Sequence, residues 1–407
     1  MIRRVTLLTA GFMAFLYPLS SSGGVSINYS FALLPVGWML LRGRVKMPPP
    51  VVVAAAIVYA FVLVAAIVLD GGANMARRLA SFVVFMSLFA YSVIEVDTAM
   101  SRAFRRAVVI ISVLFSLVAI YKGVALDLLA LGYGAKDAIG SQRFGFVYLM
   151  AFWLLVFHVP RTRLQFTGRF AALSVVTTGL LLTFSRASIV ALVGSVLVFA
   201  VINVLRWLGR PTKRGIATAF AAVTGVAVLL VLLQQTVPYV FQYADTYLVQ
   251  YARDTVALRE KLSDRTDSFG TRAFIARRVA ETVASSPLTG SGYLGVWILP
   301  DLAGIAGSAH NQYLDVLFRT GVLGGAAYGA LLLFLLTRLR PADRGLYWGM
   351  VAVLIYGMFH ETFKESQGAA LFAALIGIAS EHWRRSRAAF VVRHPVVPQP
   401  ANPLPAS

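Results

Sequence analysis

Twelve runs of mainly apolar residues leave this chain few ways to fold. They fall near 5–20, 27–41, 50–69, 79–95, 106–125, 144–159, 168–184, 187–207, 215–236, 318–338, 345–360 and 367–383. The hydrocarbon core of a bilayer takes about 20 such residues per helix. The expectation is therefore an all-α, polytopic membrane protein with about 12 transmembrane helices, several of them short. Composition agrees: 58% of the 407 residues are hydrophobic and 13% charged, and the mean hydropathy is +0.76. A soluble fold could not cover that much apolar surface. The chain has no cysteine, which excludes disulfides and thiolate metal sites. The first run follows Met1-Ile2-Arg3-Arg4 and precedes the small residues Ser20 to Gly24. It reads as an uncleaved span, with a cleaved signal peptide as the alternative, and the later topology is the same either way.

A formal charge of +20 would suggest nucleic acid as the partner of a soluble protein. Here the distribution of the charge gives another account. With the N-terminus in the cytoplasm and loops assigned alternately, one side holds 22 of the 37 basic residues and four acids, Glu95, Asp97, Asp343 and Glu381. The other side is nearly balanced. That asymmetry is what the positive-inside rule expects, so the charge reports topology and nucleic acid drops out. Both termini are then cytoplasmic.

Residues 1–394 read as a single membrane domain and 395–407 as a Pro-rich, disordered cytoplasmic tail. Residues 237–317 form one large outer loop. Within it, Tyr247–Leu262 reads as a surface helix and Thr271–Ser285 as a second, with Phe274, Ile275 and Val279 on one face. Pro287 and Gly290 break the chain after it. A shorter outer segment, 126–143, holds Gly132, Gly134, Gly140 and Arg143.

Polar groups at the outer edge of so apolar a chain are the candidates for chemistry. Arg186 sits in a very short outer link, Thr183 to Ser188. An arginine there either snorkels to headgroups or, held close to the bundle, meets an anionic partner. Arg272 opens the second loop helix; Arg277 and Arg278 read as solvated charges. Arg265 has acidic neighbours, Asp264 and Asp267, and Arg143 lies where the sixth span begins. A cluster of such guanidiniums would suit phosphate, because their forks match its oxygens and keep their charge. His310, followed by Asn311, stands at the apparent start of a helix. A helix N-terminus favours the neutral imidazole, a form able to accept a proton; the plainer reading is a histidine that caps the helix. His360, beside Glu361 and Glu365, is a second candidate. No DxD, HExxH or paired-His spacing occurs on the outer face, so no metal and no cofactor are expected.

Four pieces occur in order: the Ser185-Arg186 link; Arg272 with Pro287-Leu288-Thr289-Gly290-Ser291-Gly292; His310-Asn311-Gln312-Tyr313-Leu314; and Gly321-Val322-Leu323-Gly324 opening the next span. In this order and placement they resemble the O-antigen ligase and polymerase superfamily, bacterial inner-membrane enzymes of lipid-linked glycan assembly. The resemblance covers mainly residues 140–335. It implies transfer of a glycan from undecaprenyl pyrophosphate to an acceptor hydroxyl on the periplasmic side, within the membrane lipids. The ligase branch uses a lipid A–core sugar as acceptor and the polymerase branch another lipid-linked repeat; the ligase is the first expectation. The resemblance makes His310 the base, with Arg186 and the loop arginine, Arg272 or Arg265, on pyrophosphate. Arg143, Asn311, Tyr313 and His360 are expected to complete the substrate site. A transporter or flippase for lipid-linked glycan is a third reading, disfavoured because the charges gather at the outer face and not at mid-membrane.

Overall fold

The computed structural model describes residues 46–70, 75–125, 145–183, 185–209, 268–292, 309–360 and 366–393, with a few isolated positions between them. Among the described residues the fold is all-helical. The helices are α1 (Pro50–Asp70), α2 (Met75–Glu95), α3 (Thr98–Ala125), α4 (Gly145–Val156), α5 (Arg163–Leu182), α6 (Arg186–Gly209), α7 (Ser268–Ser285), α8 (Gln312–Ala342), α9 (Arg344–Gly357) and α10 (Ser366–Arg393). Nine of them lie where an apolar run was expected. Four, Pro50–Leu69, Thr98–Lys122, Ala187–Arg206 and Gln312–Ala342, are long and apolar enough to cross a membrane. The expected spans at 5–20, 27–41 and 215–236, the helix at 247–262 and the tail lie outside the described residues.

Apolar residues face two ways. α1 opens with Pro50, whose missing N–H costs nothing in the first turn, and its Ile57, Phe61, Val68 and Leu69 are exposed. In a chain this apolar, such a surface suits lipid. The short α4 is instead buried along nearly all of its length, from Gly145 to Leu155; a helix hydrophobic all round belongs inside. It can be enclosed because α9 approaches it through glycines. Gly345 and Gly349, one turn apart, face Leu154 and Met150, and a methyl at either would press into them. Small residues at helix crossings are the usual way membrane helices pack closely. Gly377 of α10 lies against the Ser92 carbonyl of α2 in the same manner.

The two ends of the bundle differ. At one, the basic end, Arg105 bonds Asp343, which also caps α9 by accepting from the Leu346 amide (3.0 Å). Arg384 caps α2 there, donating to the Val93 and Val96 carbonyls at 2.7 and 3.0 Å. A helix end has orphan carbonyls, and a cation suits them. The other end carries α7 and the segments around Gly290, His310 and Met358; we call it the loop end.

The charge count gives an expected orientation for these ends, cytoplasmic for the basic end, which is open to direct test. The chain has no cysteine, so single cysteines are clean reporters. At the exposed loop-end position Ala284, Ala284→Cys should react with a membrane-impermeant maleimide in cells with a permeabilised outer membrane. Arg102→Cys, exposed at the basic end, should react only after the inner membrane is opened. The reverse pattern would invert the topology.

Candidate active site

The loop end is organised by a break in α8. Gly321 has φ 59° and ψ −158°, so the helix stops and restarts there. A break frees carbonyls before it and amides after it, and each must find a partner. The Pro287–Gly292 turn supplies both. Ser291 N donates to the Phe318 carbonyl (2.7 Å), while Val322 N and Leu323 N donate to the Pro287 and Leu288 carbonyls (2.8 and 3.2 Å). Gly290, at φ 66°, touches the break so closely that a Cβ would stand 2.6 Å from Gly321 N and from the Phe318 carbonyl oxygen. The turn that was expected to end the loop helix is also the cap for both halves of α8.

Before the break, residues 312–320 form a short helix that packs on α7. Ile275, Val279, Val296, Ala309 and Phe318 make a small buried cluster there, with Phe274, Val283 and Leu314 against it. The expected apolar face of the loop helix is the face it buries. On its outer side Arg277 and Arg278 both bind Glu281, at 2.9 and 2.7 Å. Those hydrogen bonds, from Arg277 first, hold the Glu281 carboxyl below its ordinary range.

His310 is exposed and has φ 49°, among the described residues the one non-glycine with positive φ. It does not cap the helix, which corrects that reading. Asn311 does: its Oδ1 accepts from the Tyr313 and Leu314 amides (2.9 and 3.1 Å). The Asn311 Nδ2 then donates to the Met358 carbonyl at the end of α9 (2.9 Å). Tyr313 Oη donates to the Leu354 carbonyl one turn earlier (2.7 Å). These two side chains, expected to meet substrate, fasten the His310 segment to α9. His360 lies two residues beyond Met358, half-buried and stacked on Tyr356 with ring centroids 5.3 Å apart. The Asn311–Met358 bond thereby brings the segments of both candidate histidines to the loop end.

Arg186 is the first residue of α6 and starts it at this same end, after a link in which Ser185 N bonds Thr183 Oγ1 (3.1 Å). Arg272 belongs to the first turns of α7. The side chains of both, and all of Arg143 and Arg265, lie outside the described residues.

One feature escaped the reading of single residues. Asp315 and Arg319, one turn apart before the break, form a buried two-pronged ion pair: Nε to Oδ2 at 2.7 Å and Nη2 to Oδ1 at 3.2 Å. Their i, i+4 spacing was the available signal. Breaking a buried pair strands a charge, which costs about 3–5 kcal/mol, so this pair fixes the short helix that carries Asn311.

Residues 170–329 match the family model described as O-antigen ligase. The matched segment begins within α5 and ends in α8. It encloses Arg186, Arg272, the Pro287–Gly292 turn, His310, Asn311 and the break at Gly321, so this part of the chain is similar to the O-antigen ligase superfamily. No curated protein matches the chain.

Proposed function

We propose that this chain, with its O-antigen ligase segment across residues 170–329, transfers a glycan from undecaprenyl pyrophosphate to a sugar hydroxyl of lipid A–core, at the periplasmic face of the inner membrane. The observation that carries the reading is the double anchoring of the His310 segment, by Asn311 and Tyr313 on the backbone of α9. A histidine in a left-handed turn, exposed and held from behind, has the geometry of a base presented to a substrate.

The reaction needs no metal in this proposal. As the acceptor oxygen attacks the anomeric carbon, His310 takes the hydroxyl proton. The bond from that carbon to the phosphate oxygen breaks, and undecaprenyl pyrophosphate leaves with the electron pair. A positioned base typically contributes about 10²–10⁴-fold. Arg186 and Arg272 stabilise the charge gathering on the leaving group, as preorganised donors do elsewhere. Arg143, Arg265 and His360 complete the donor site.

The test is reconstitution of the purified chain with lipid-linked donor and either lipid A–core or a second lipid-linked repeat. Sugar on lipid A–core, unaffected by EDTA, is the expected result. Extension of the lipid-linked repeat alone would make the chain a polymerase, and no product with either acceptor would refute the transferase reading. In the same assay, Arg186→Lys with Arg272→Lys should lose at least tenfold in rate, because a point charge cannot reproduce a two-pronged contact. Full activity of that variant would remove the arginines from the mechanism. Arg277→Ala, whose partner is Glu281, should change little.

A further inference from the structure

The basic end holds a cavity that glycan transfer does not use. It measures about 190 Å³ and lies between α6, α8 and α9, lined by Phe199, Asn203, Arg206, Arg340, Arg344 and Trp348 among others. α6 and α8 start at the loop end and α9 finishes there, so the cavity sits at the far end of the bundle from His310.

Three helices each contribute one arginine to it. Among the described residues none of the three pairs with a carboxylate. Asp343, the acid between Arg340 and Arg344 in sequence, is engaged by Arg105 and the Leu346 amide. Arg344 lies instead over the Phe157 ring, 5.8 Å from its centroid. One wall is rigid and aromatic: Trp348 packs on Phe199 (5.0 Å) and on Trp153 (5.5 Å), and the Trp153 Nε1 donates to Ser195 Oγ (3.1 Å). Beside the cavity, Val198, Val201 and Leu205 form an exposed apolar stripe along α6 that runs up to Arg206.

We propose that this cavity binds the phosphodiester headgroup of an anionic glycerophospholipid, with the acyl chains along the α6 stripe. The positive-inside rule asks only for positive charge at this end, and lysines scattered on any loop would serve. It does not ask that three guanidiniums from three helices converge on one cavity. Guanidinium forks match phosphate oxygens. Basic pockets between membrane helices select anionic headgroups, and tryptophan and tyrosine favour headgroup depth. Asn203 adds an amide side chain at the wall, and the stripe gives the tails an apolar path in continuity with the pocket. The proposal is independent of the glycan reaction and stands or falls without it.

The test is native mass spectrometry of the full chain, titrated in parallel with phosphatidylglycerol and phosphatidylcholine of the same acyl composition. Phosphatidylglycerol should be retained at least tenfold more tightly. Replacing Arg206, Arg340 and Arg344 together by Gln should weaken it by roughly 100-fold, about fivefold for each arginine near an anionic lipid. Where the triple variant fails to fold, Arg206→Gln alone should show the fivefold loss. Arg161→Gln with Arg163→Gln, exposed at the same end outside the cavity, should leave retention unchanged. Inorganic phosphate in excess should not displace the lipid. Equal retention of the two lipids, undiminished binding by the Gln variants, an equal loss in the Arg161, Arg163 control, or full displacement by inorganic phosphate would each overturn the proposal.

Discussion

His310→Gly should melt at or slightly above the wild-type temperature and yet transfer glycan at least 100-fold more slowly. The two halves of that expectation come from different properties of one residue. At φ 49° the His310 backbone is in the left-handed region, where a side chain costs about 1 kcal/mol and glycine nothing comparable. Removing the side chain therefore relieves strain, and the cap is untouched because Asn311 provides it. Asparagine also tolerates the left-handed region, so His310→Asn should keep the fold and donor binding while losing turnover. Donor binding, melting temperature and turnover measured on both variants decide the matter. A fully active His310→Asn protein would end the catalytic proposal and turn attention to His360.

The second large effect is structural and has an internal control in α8, the helix whose break the Pro287–Gly292 turn caps. Gly290→Ala should destabilise the loop end severely. Its backbone is left-handed and its new methyl would enter the backbone at Phe318 and Gly321, leaving no flexible side chain to give way. Withdrawal of the turn would strand the bonds from Ser291, Val322 and Leu323, each worth about 1 kcal/mol net and more when left unmade. A loss of roughly 3 kcal/mol or more follows, with transfer falling alongside it. Gly329→Ala, further along α8, meets nothing within 4 Å, and alanine in a helix interior should gain about 0.5–1 kcal/mol. Thermal melts of the two variants should move in opposite directions. A Gly290→Ala protein as stable as the wild type would show that the turn is not what holds the break.

What could be read from the chain was what depends on near neighbours. An uninterrupted apolar run such as residues 50–69 has one stable form in a bilayer, and α1 occupies it. The apolar face of α7 was legible because Ile275 and Val279 sit four residues apart with Arg277 and Glu281 off that stripe. Asn311 announced a helix start, although attention went to the histidine before it. Length was harder to read. α4 and α9, of 12 and 14 residues, are shorter than a bilayer-spanning helix; enclosed by their neighbours, they answer to packing rather than to membrane thickness. The contacts that make the site were not legible at all. Nothing near Gly290 says that it will lie against Gly321, and nothing near Asn311 says that a carbonyl 47 residues later will receive its amide. Both depend on backbone from distant parts of the chain meeting, which composition and periodicity do not encode. Arg186 was singled out by its very short outer link and Arg272 by its place at the start of the loop helix; their assignment to pyrophosphate came from the resemblance and rests on the transfer assay.

The Asn311–Met358 bond also limits how this protein can be recombined with its relatives. The segment that matches the family ends at residue 329, whereas both carbonyls that hold the His310 segment lie beyond it, that of Leu354 in α9 and that of Met358 at its C-cap. A chimera that exchanged residues 170–329 alone would import His310 without importing its mounting. Because the mounting is main chain, the host's own side chains at 354 and 358 would matter little, and very different sequences could serve there. Register would matter a great deal. One residue inserted early in α9 turns everything after it by about 100° and swings both carbonyls away from their donors. Compatibility between two such chains is therefore set by helix phase beyond the shared segment more than by identity within it.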